Sequence, residues 1–181
     1  MNYYYFVASL PPLALEGDPP FSSEHFADLC AEHLSPRDLE ALESLADPTR
    51  PGNHAFVLQW RDAETQIRNT VARARALRLG KDAAGYLRPV TGLSVALEKR
   101  CSDAMALSNP LERERALDTL RWNLADELAG LETFSLSAVL AYGVKLYLVE
   151  RWTAMNEDAG RQKLEAMASK APAPAETVAA S

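Results

Sequence analysis

From Phe134 to Trp152 the chain reads FSLSAVLAYGVKLYLVERW, an apolar run interrupted by Lys145 and closed by Glu150-Arg151. A helix drawn through it is hydrophobic on nearly every side, and such a helix must be buried among other elements or in a membrane. A membrane span needs about 20 uncharged apolar residues; the interval from Ser137 to Glu150 is shorter and holds a lysine. The pattern therefore predicts the central helix of a soluble bundle, capped by Ser135 and returned to solvent by Glu-Arg-Trp. Gly143 costs about 1 kcal/mol relative to alanine there, which points to a neighbouring helix in close approach.

The remaining periodicities are helical. Phe21–Leu34 carries Phe26, Leu29, Cys30 and Leu34 on one face behind a Ser22 or Ser23 cap. Ser35-Pro36-Arg37-Asp38 opens a second helix with Leu39, Leu42 and Leu45–Ala46 as its stripe. A long helix over about Asn53–Leu79 repeats Trp60, Ala63, Glu64, Ile67, Val71, Ala74 and Leu77 at three-four spacing. Leu93–Leu107 is a further helix. Asn109-Pro110-Leu111-Glu112 is a capping box that opens one running to about Leu128, with Leu117, Leu120, Leu124 and Leu128 inward. Tyr3–Leu10 is aromatic and apolar; propensity favours a strand, but a lone strand lacks a partner, so a helical or irregular packed segment is expected. The sequence thus predicts an all-α bundle over residues 1–168, ending in an amphipathic Arg161–Ala168, and a disordered Ala/Pro-rich tail over 169–181.

Composition changes this picture little. The 181 residues are 48% hydrophobic and 24% charged, with a net charge of −6, a balance that argues against a general nucleic-acid or anionic-membrane binder. Two distant cysteines and an N-terminus without a basic region before its apolar run suggest a cytoplasmic protein with free thiols. Arg61, Arg68 and Arg75, seven apart, form a stripe on the long helix. It reads as a solvated face with acidic partners or as a partner-binding face; aromatics are not interleaved with it as nucleic-acid stacking requires.

Candidate chemistry is sparse. No phosphate loop, dinucleotide glycine pattern, nucleophile elbow or His-Glu-x-x-His occurs. Cys30 and His33 lie one helical turn apart with His25 upstream, a conceivable thiol–imidazole pair, but a structural zinc site wants four ligands and no second cluster exists. An activated thiol needs an exposed, electropositive setting, whereas Cys30 falls on an apolar face. Glu112/Glu114 and Asp126/Glu127 read as surface acids. Lys145 is either desolvated and nucleophilic or paired with a carboxylate. No catalytic residue, cofactor or metal is expected.

Ala138–Lys145 (AVLAYGVK) in the central helix resembles the Ala-Tyr-x-x-x-Lys/Glu helix of the funnel-shaped subunit that joins central stalk to rotor ring in V/A-type rotary ATPases. The Trp60–Leu79 stretch, with Arg68-Asn69 and Arg73-Ala74-Arg75, is similar to the helix there that carries a short Asn-Leu motif followed by basic residues. The opening YYYFVASLP, the Asn109–Glu112 box, Arg121-Trp122 and Glu150-Arg151-Trp152 resemble a bacterial family of uncharacterised proteins encoded beside V-type ATPase subunits. The resemblance implies a non-catalytic helical adaptor, akin to one lobe of the funnel, between central stalk and membrane rotor ring. The chain has roughly half the length of the funnel protein. The positions it carries over as partner contacts are Arg68, Asn69, Arg73, Tyr142, Lys145, Glu150 and Arg151. It further implies membrane association through a protein complex, with no direct lipid insertion and no nucleic acid. An assembly factor or regulator of the same ATPase, and a small thiol-dependent enzyme using Cys30 with His25 or His33, are the rival readings.

Overall fold

Side-chain caps set the helix starts. Ser22 Oγ accepts from the His25 amide at 3.1 Å, Ser35 Oγ from Asp38 at 3.3 Å, Ser94 Oγ from Leu97 at 3.3 Å and Asn109 Oδ1 from Leu111 at 2.9 Å. Each satisfies an amide that the first helical turn leaves without a partner. The computed structural model describes residues 3–155, and these contain seven α-helices and no strand. They are α1 (Tyr4–Ser9), α2 (Ser23–His33), α3 (Pro36–Ala46), α4 (Ala55–Arg78), α5 (Val95–Ala106), α6 (Pro110–Ala129) and α7 (Leu136–Met155). A 3-10 turn at Ala84–Tyr86 interrupts the connection between α4 and α5. The expected Arg161–Ala168 segment and the 169–181 tail lie outside the described residues.

Helix α6 is the shared axis. Arg121 on it meets Glu64 on α4, Arg100 on α5 meets Glu127, and Arg151 on α7 meets Glu114. Together with Arg75–Glu114 and Lys145–Asp126, these pairs set α6 antiparallel to both α4 and α7. Two hydrophobic cores result. One surrounds α7 and takes Phe6, Phe26, Cys30, Leu42, Phe56, Val57, Val139, Leu140, Leu146 and Leu148. The other lies between α4, α5 and α6 and takes Ile67, Leu97, Cys101, Met105, Leu117, Leu120 and Leu124. Trp60 and Leu128 pack against both.

The burial of α7 is as its composition requires: Val139, Leu140, Leu146 and Val149 are fully buried, and only Tyr147 and the last turn from Thr153 to Met155 are exposed. Fully burying such a side chain contributes about 1.5–3 kcal/mol. The reason for Gly143 is specific: a Cβ there would stand 3.1 Å from Phe26 Cε1 and 3.6 Å from Leu42 Cδ1, so α2 and α3 both close on α7. The aromatic N-terminal run is helical. It is tied to the start of α7 by the Tyr3 amide, which donates to Phe134 O at 2.8 Å.

Three expectations need correction. Leu77, assigned to the packed face of α4, is 83% exposed: in that last turn Ala76 is the buried residue and Arg78 donates to Met105 O, so the end of α5 covers a neighbouring line of the helix. Ala46 is exposed, and Ala41 and Ser44 fill the inner face of α3 instead. Glu150-Arg151-Trp152 does not return α7 to solvent: all three are partly buried, and the helix continues to Met155.

Candidate functional site

Within α6, residues 114, 118, 121 and 125 share one face at four-three-four spacing. Asp118 is wholly buried on it, where α7 and α6 meet. Its Oδ1 accepts from Arg121 Nη1 at 2.8 Å, and its Oδ2 accepts from Arg151 Nη1 and from Trp152 Nε1, the latter at 3.0 Å. Arg121 reaches the other way, giving Nε and Nη2 to Glu64 at 2.9 and 3.1 Å. Arg151 Nη2 donates to Glu114 at 2.7 Å, and Arg115 lies over the Trp152 ring at 5.7 Å. The result is a chain of alternating charge from α4 through α6 to α7, spanning the seam between the two cores.

Buried charge is tolerated only when it is paired and hydrogen-bonded, and this group meets that condition. Burial alone would pull Arg121 down, but the hydrogen bonds and charge of Glu64, with Asp118 behind them, hold its pKa above the ordinary arginine value. Arg121 therefore stays charged and donates to both carboxylates. Both carboxylate oxygens of Asp118 accept from donors on α6 and α7. The arrangement locks helices in register.

The positions carried over by resemblance fall into two groups. On α7, Tyr142 donates to Pro11 O at 3.0 Å and packs on Phe26, with burial pushing its phenol up to about 12. Lys145 pairs with Asp126 and sits 4.7 Å over the Trp122 ring. Glu150 accepts from the Ser23 amide at 2.7 Å and from its hydroxyl, stabilising the N-terminus of α2. Arg151 belongs to the seam. On α4, Arg68 pairs with Glu64 at 3.0 Å and Arg73 with Glu98 at 3.0 Å, both largely exposed. Asn69 is buried: its Nδ2 donates to Arg88 O at 2.7 Å and its Oδ1 accepts from the Arg88 amide at 2.9 Å. It fixes the connection after α4.

Arg61, grouped by spacing with Arg68 and Arg75, has a different role. Its guanidinium donates to the carbonyls of Ser44, Asp47 and Arg50 and so caps the C-terminus of α3. His54, without an evident role in the sequence, caps α4 through Nδ1, which accepts from Phe56 at 3.3 Å; burial lowers its pKa and keeps that nitrogen an acceptor. Cys30 is fully buried and its thiol is pushed up to about 12 by burial, and it makes no hydrogen bond to His25 or His33 among the described residues. Among those residues no group of three or more His, Cys, Asp and Glu side chains is disposed to hold a metal ion.

Periodicity does not single out Asp118, and it makes Glu114 a surface acid. The available signal is an acid inside the apolar stripe beside Leu117, one turn from Arg121. Intrahelical spacing reveals Asp118–Arg121 but not Arg151, which comes from another helix.

The molecule is thus an all-α bundle whose seam is held by a satisfied buried charge group. The family described as "Protein of unknown function (DUF2764)" matches residues 101–170, a stretch that takes in all of α6 and α7, and the chain is similar to that family there. Comparison with curated proteins gave no match, and neither did comparison with solved structures.

Proposed function

We propose that this chain is a non-catalytic helical subunit associated with a V/A-type rotary ATPase, an adaptor between its central stalk and membrane rotor ring. One observation carries the reading beside the sequence resemblance. Every ionised side chain of α7, and Tyr142 with them, is bonded to another element: Pro11, Asp126, Ser23, Asp118 and Glu114. A helix tied at successive turns to α2, α6 and the N-terminal connector moves as one body with them, which is what a part that bears load requires. The buried, protonated Cys30 gives the thiol-enzyme alternative no support, since the thiolate is the nucleophile. Among the described residues no helix is long and apolar enough to cross a membrane, so a peripheral position suits the chain.

The test is deletion and affinity purification in the native host. Co-purification with the ATPase subunits, and hydrolysis uncoupled from ion transport in the deletion strain, are the expected results. Normal assembly and pumping without the protein would sink the proposal. Slowed assembly, with the chain absent from the finished enzyme, would select an assembly factor instead.

A further inference from the structure

The connection from α4 to α5 is unusual in what it displays. Asn69 holds Arg88 through two hydrogen bonds, and Gln66 holds Ser94 in the same way, its Nε2 donating at 2.7 Å and its Oε1 accepting at 3.1 Å. The chain leaving α4 at Leu79 therefore returns along that helix to the level of residue 66, over about 20 Å at the helical rise. Buried amides fix the backbone while the side chains turn outward. Leu77 is 83% exposed, Leu79 69%, Tyr86 71%, Leu93 65% and Val95 78%. Five large apolar side chains are thus exposed along a connection about 20 Å long, a strip rather than a compact patch, which an extended surface could meet along its length.

Charge supplies the second half of the argument. Residues 73–99 hold six basic side chains (Arg73, Arg75, Arg78, Lys81, Arg88 and Lys99) against Asp82 and Glu98, in a chain with 19 basic and 25 acidic residues overall. Lys81, Arg88 and Lys99 form no ion pair among the described residues. Uncompensated cations along the same stretch of chain as exposed leucine, valine and tyrosine suit a surface that is negative outside and apolar a few ångströms below. A partner helix would want a groove, and the hollows beside His54 and between α5 and α6 lie outside this connection.

We propose that the face formed by residues 77–95, with the cations around it, docks on an anionic lipid bilayer. The leucines, Val95 and Tyr86 enter the headgroup boundary while Lys81 and Arg88 meet lipid phosphates, the pairing of apolar and electrostatic signals that stable peripheral binding needs. Such contact goes beyond association through a protein complex alone, and it does not depend on the ATPase reading.

The full chain is to be sedimented with vesicles of phosphatidylglycerol and phosphatidylethanolamine, and with vesicles of phosphatidylcholine. Binding to the anionic vesicles alone is expected, weakened at least tenfold by raising salt to about 0.5 M. The Lys81→Glu/Arg88→Glu variant should bind roughly 20-fold less tightly, and Tyr86→Ser/Leu93→Ser about tenfold less. These side chains are exposed, so circular dichroism should match the unaltered chain. Failure of the unaltered chain to bind anionic vesicles overturns the proposal, as does unchanged binding by either double variant. A photo-cross-linker at Tyr86 that captures protein in native membranes, while protein-free vesicles stay unbound, overturns it in favour of a protein partner.

Discussion

Around α7 the interior is made of rings and branched aliphatics: Phe21, Phe26 and Tyr142 pack together, with ring centroids 5.2–6.3 Å apart, and Val139, Leu140 and Leu146 close behind them. Along α4 beyond Trp60 the interior is different. Ile67, Leu97, Met105 and the α6 leucines share the space with Gln66, Asn69 and Thr70, all buried and all hydrogen-bonded. The first core is shaped by nonpolar volume, and so by how closely helices approach. The second also depends on directional bonds that hold an otherwise exposed connection in place. The two meet at Asp118, where neither kind of packing suffices and charge supplies the registry.

The sharpest break in that comparison is Asp118→Ala. It leaves Arg121 and Arg151 without their shared acceptor, and removing one partner of a buried pair costs about 3–5 kcal/mol. Urea unfolding should show a loss of that size; a loss below about 1 kcal/mol would mean the seam is not held by charge.

Alkaline titration separates the two cores next. Burial raises the Cys30 thiol from 9.0 to about 12 and the Tyr142 phenol from 10.0 to about 12, both in the α7 core, and the Cys101 thiol from 9.0 to about 11 in the other. For a raised pKa the stabilisation is complete below the unfolded value and disappears as pH climbs to the folded one. Stability should therefore begin to fall near pH 9 through the thiols and near pH 10 through the phenol, by about 1.4 kcal/mol per pH unit for each group. Cys30→Ala should lessen the slope between 9 and 12, and Cys101→Ala should act only up to about 11. A flat profile over this range, followed by denaturant melts, would contradict the burial of both thiols.

Smaller effects distinguish the directional bonds from the close contact. Asn69→Ala deprives the Arg88 amide and carbonyl of their partners, which should cost about 1–3 kcal/mol. Faster hydrogen exchange across residues 80–94, with α7 unaffected, is the measurement. Gly143→Ala gains about 1 kcal/mol in helix propensity. Yet it presses a methyl against Phe26, which is buried between Phe6, Phe21 and Tyr142 and has no room to yield. A net loss of about 1 kcal/mol is expected, and a gain in melting temperature would show that α2 can retreat.

The two cores are also unequally legible in the sequence. The all-round hydrophobicity of α7, the glycine within it and the Ser-Pro and Asn-Pro starts of α3 and α6 each have a local cause, and each is present in the structure. The exposure of Leu77 has none, because three-four spacing does not say which line of the last turn the neighbouring helix covers, and that line runs through Ala76. Asn69 and Gln66 look like ordinary polar residues of an amphipathic helix until the chain folds back upon them. Arg61 has the same spacing as Arg68, yet it caps a different helix while Arg68 stays in solvent. Of the candidate site, Arg121 and Arg151 are visible as charges, but the carboxylate between them requires two helices to be brought together.

That shared carboxylate also limits how the helices can slip. For α7 to slide one turn along α6, Arg151 would have to leave Glu114 and Asp118 together, Trp152 would lose its acceptor, and Lys145 would leave Asp126 and the Trp122 ring. The present register is the one in which all of those contacts are made together. Shear along the helix axis is resisted by charge geometry, in a direction where hydrocarbon packing alone offers many nearly equivalent seats.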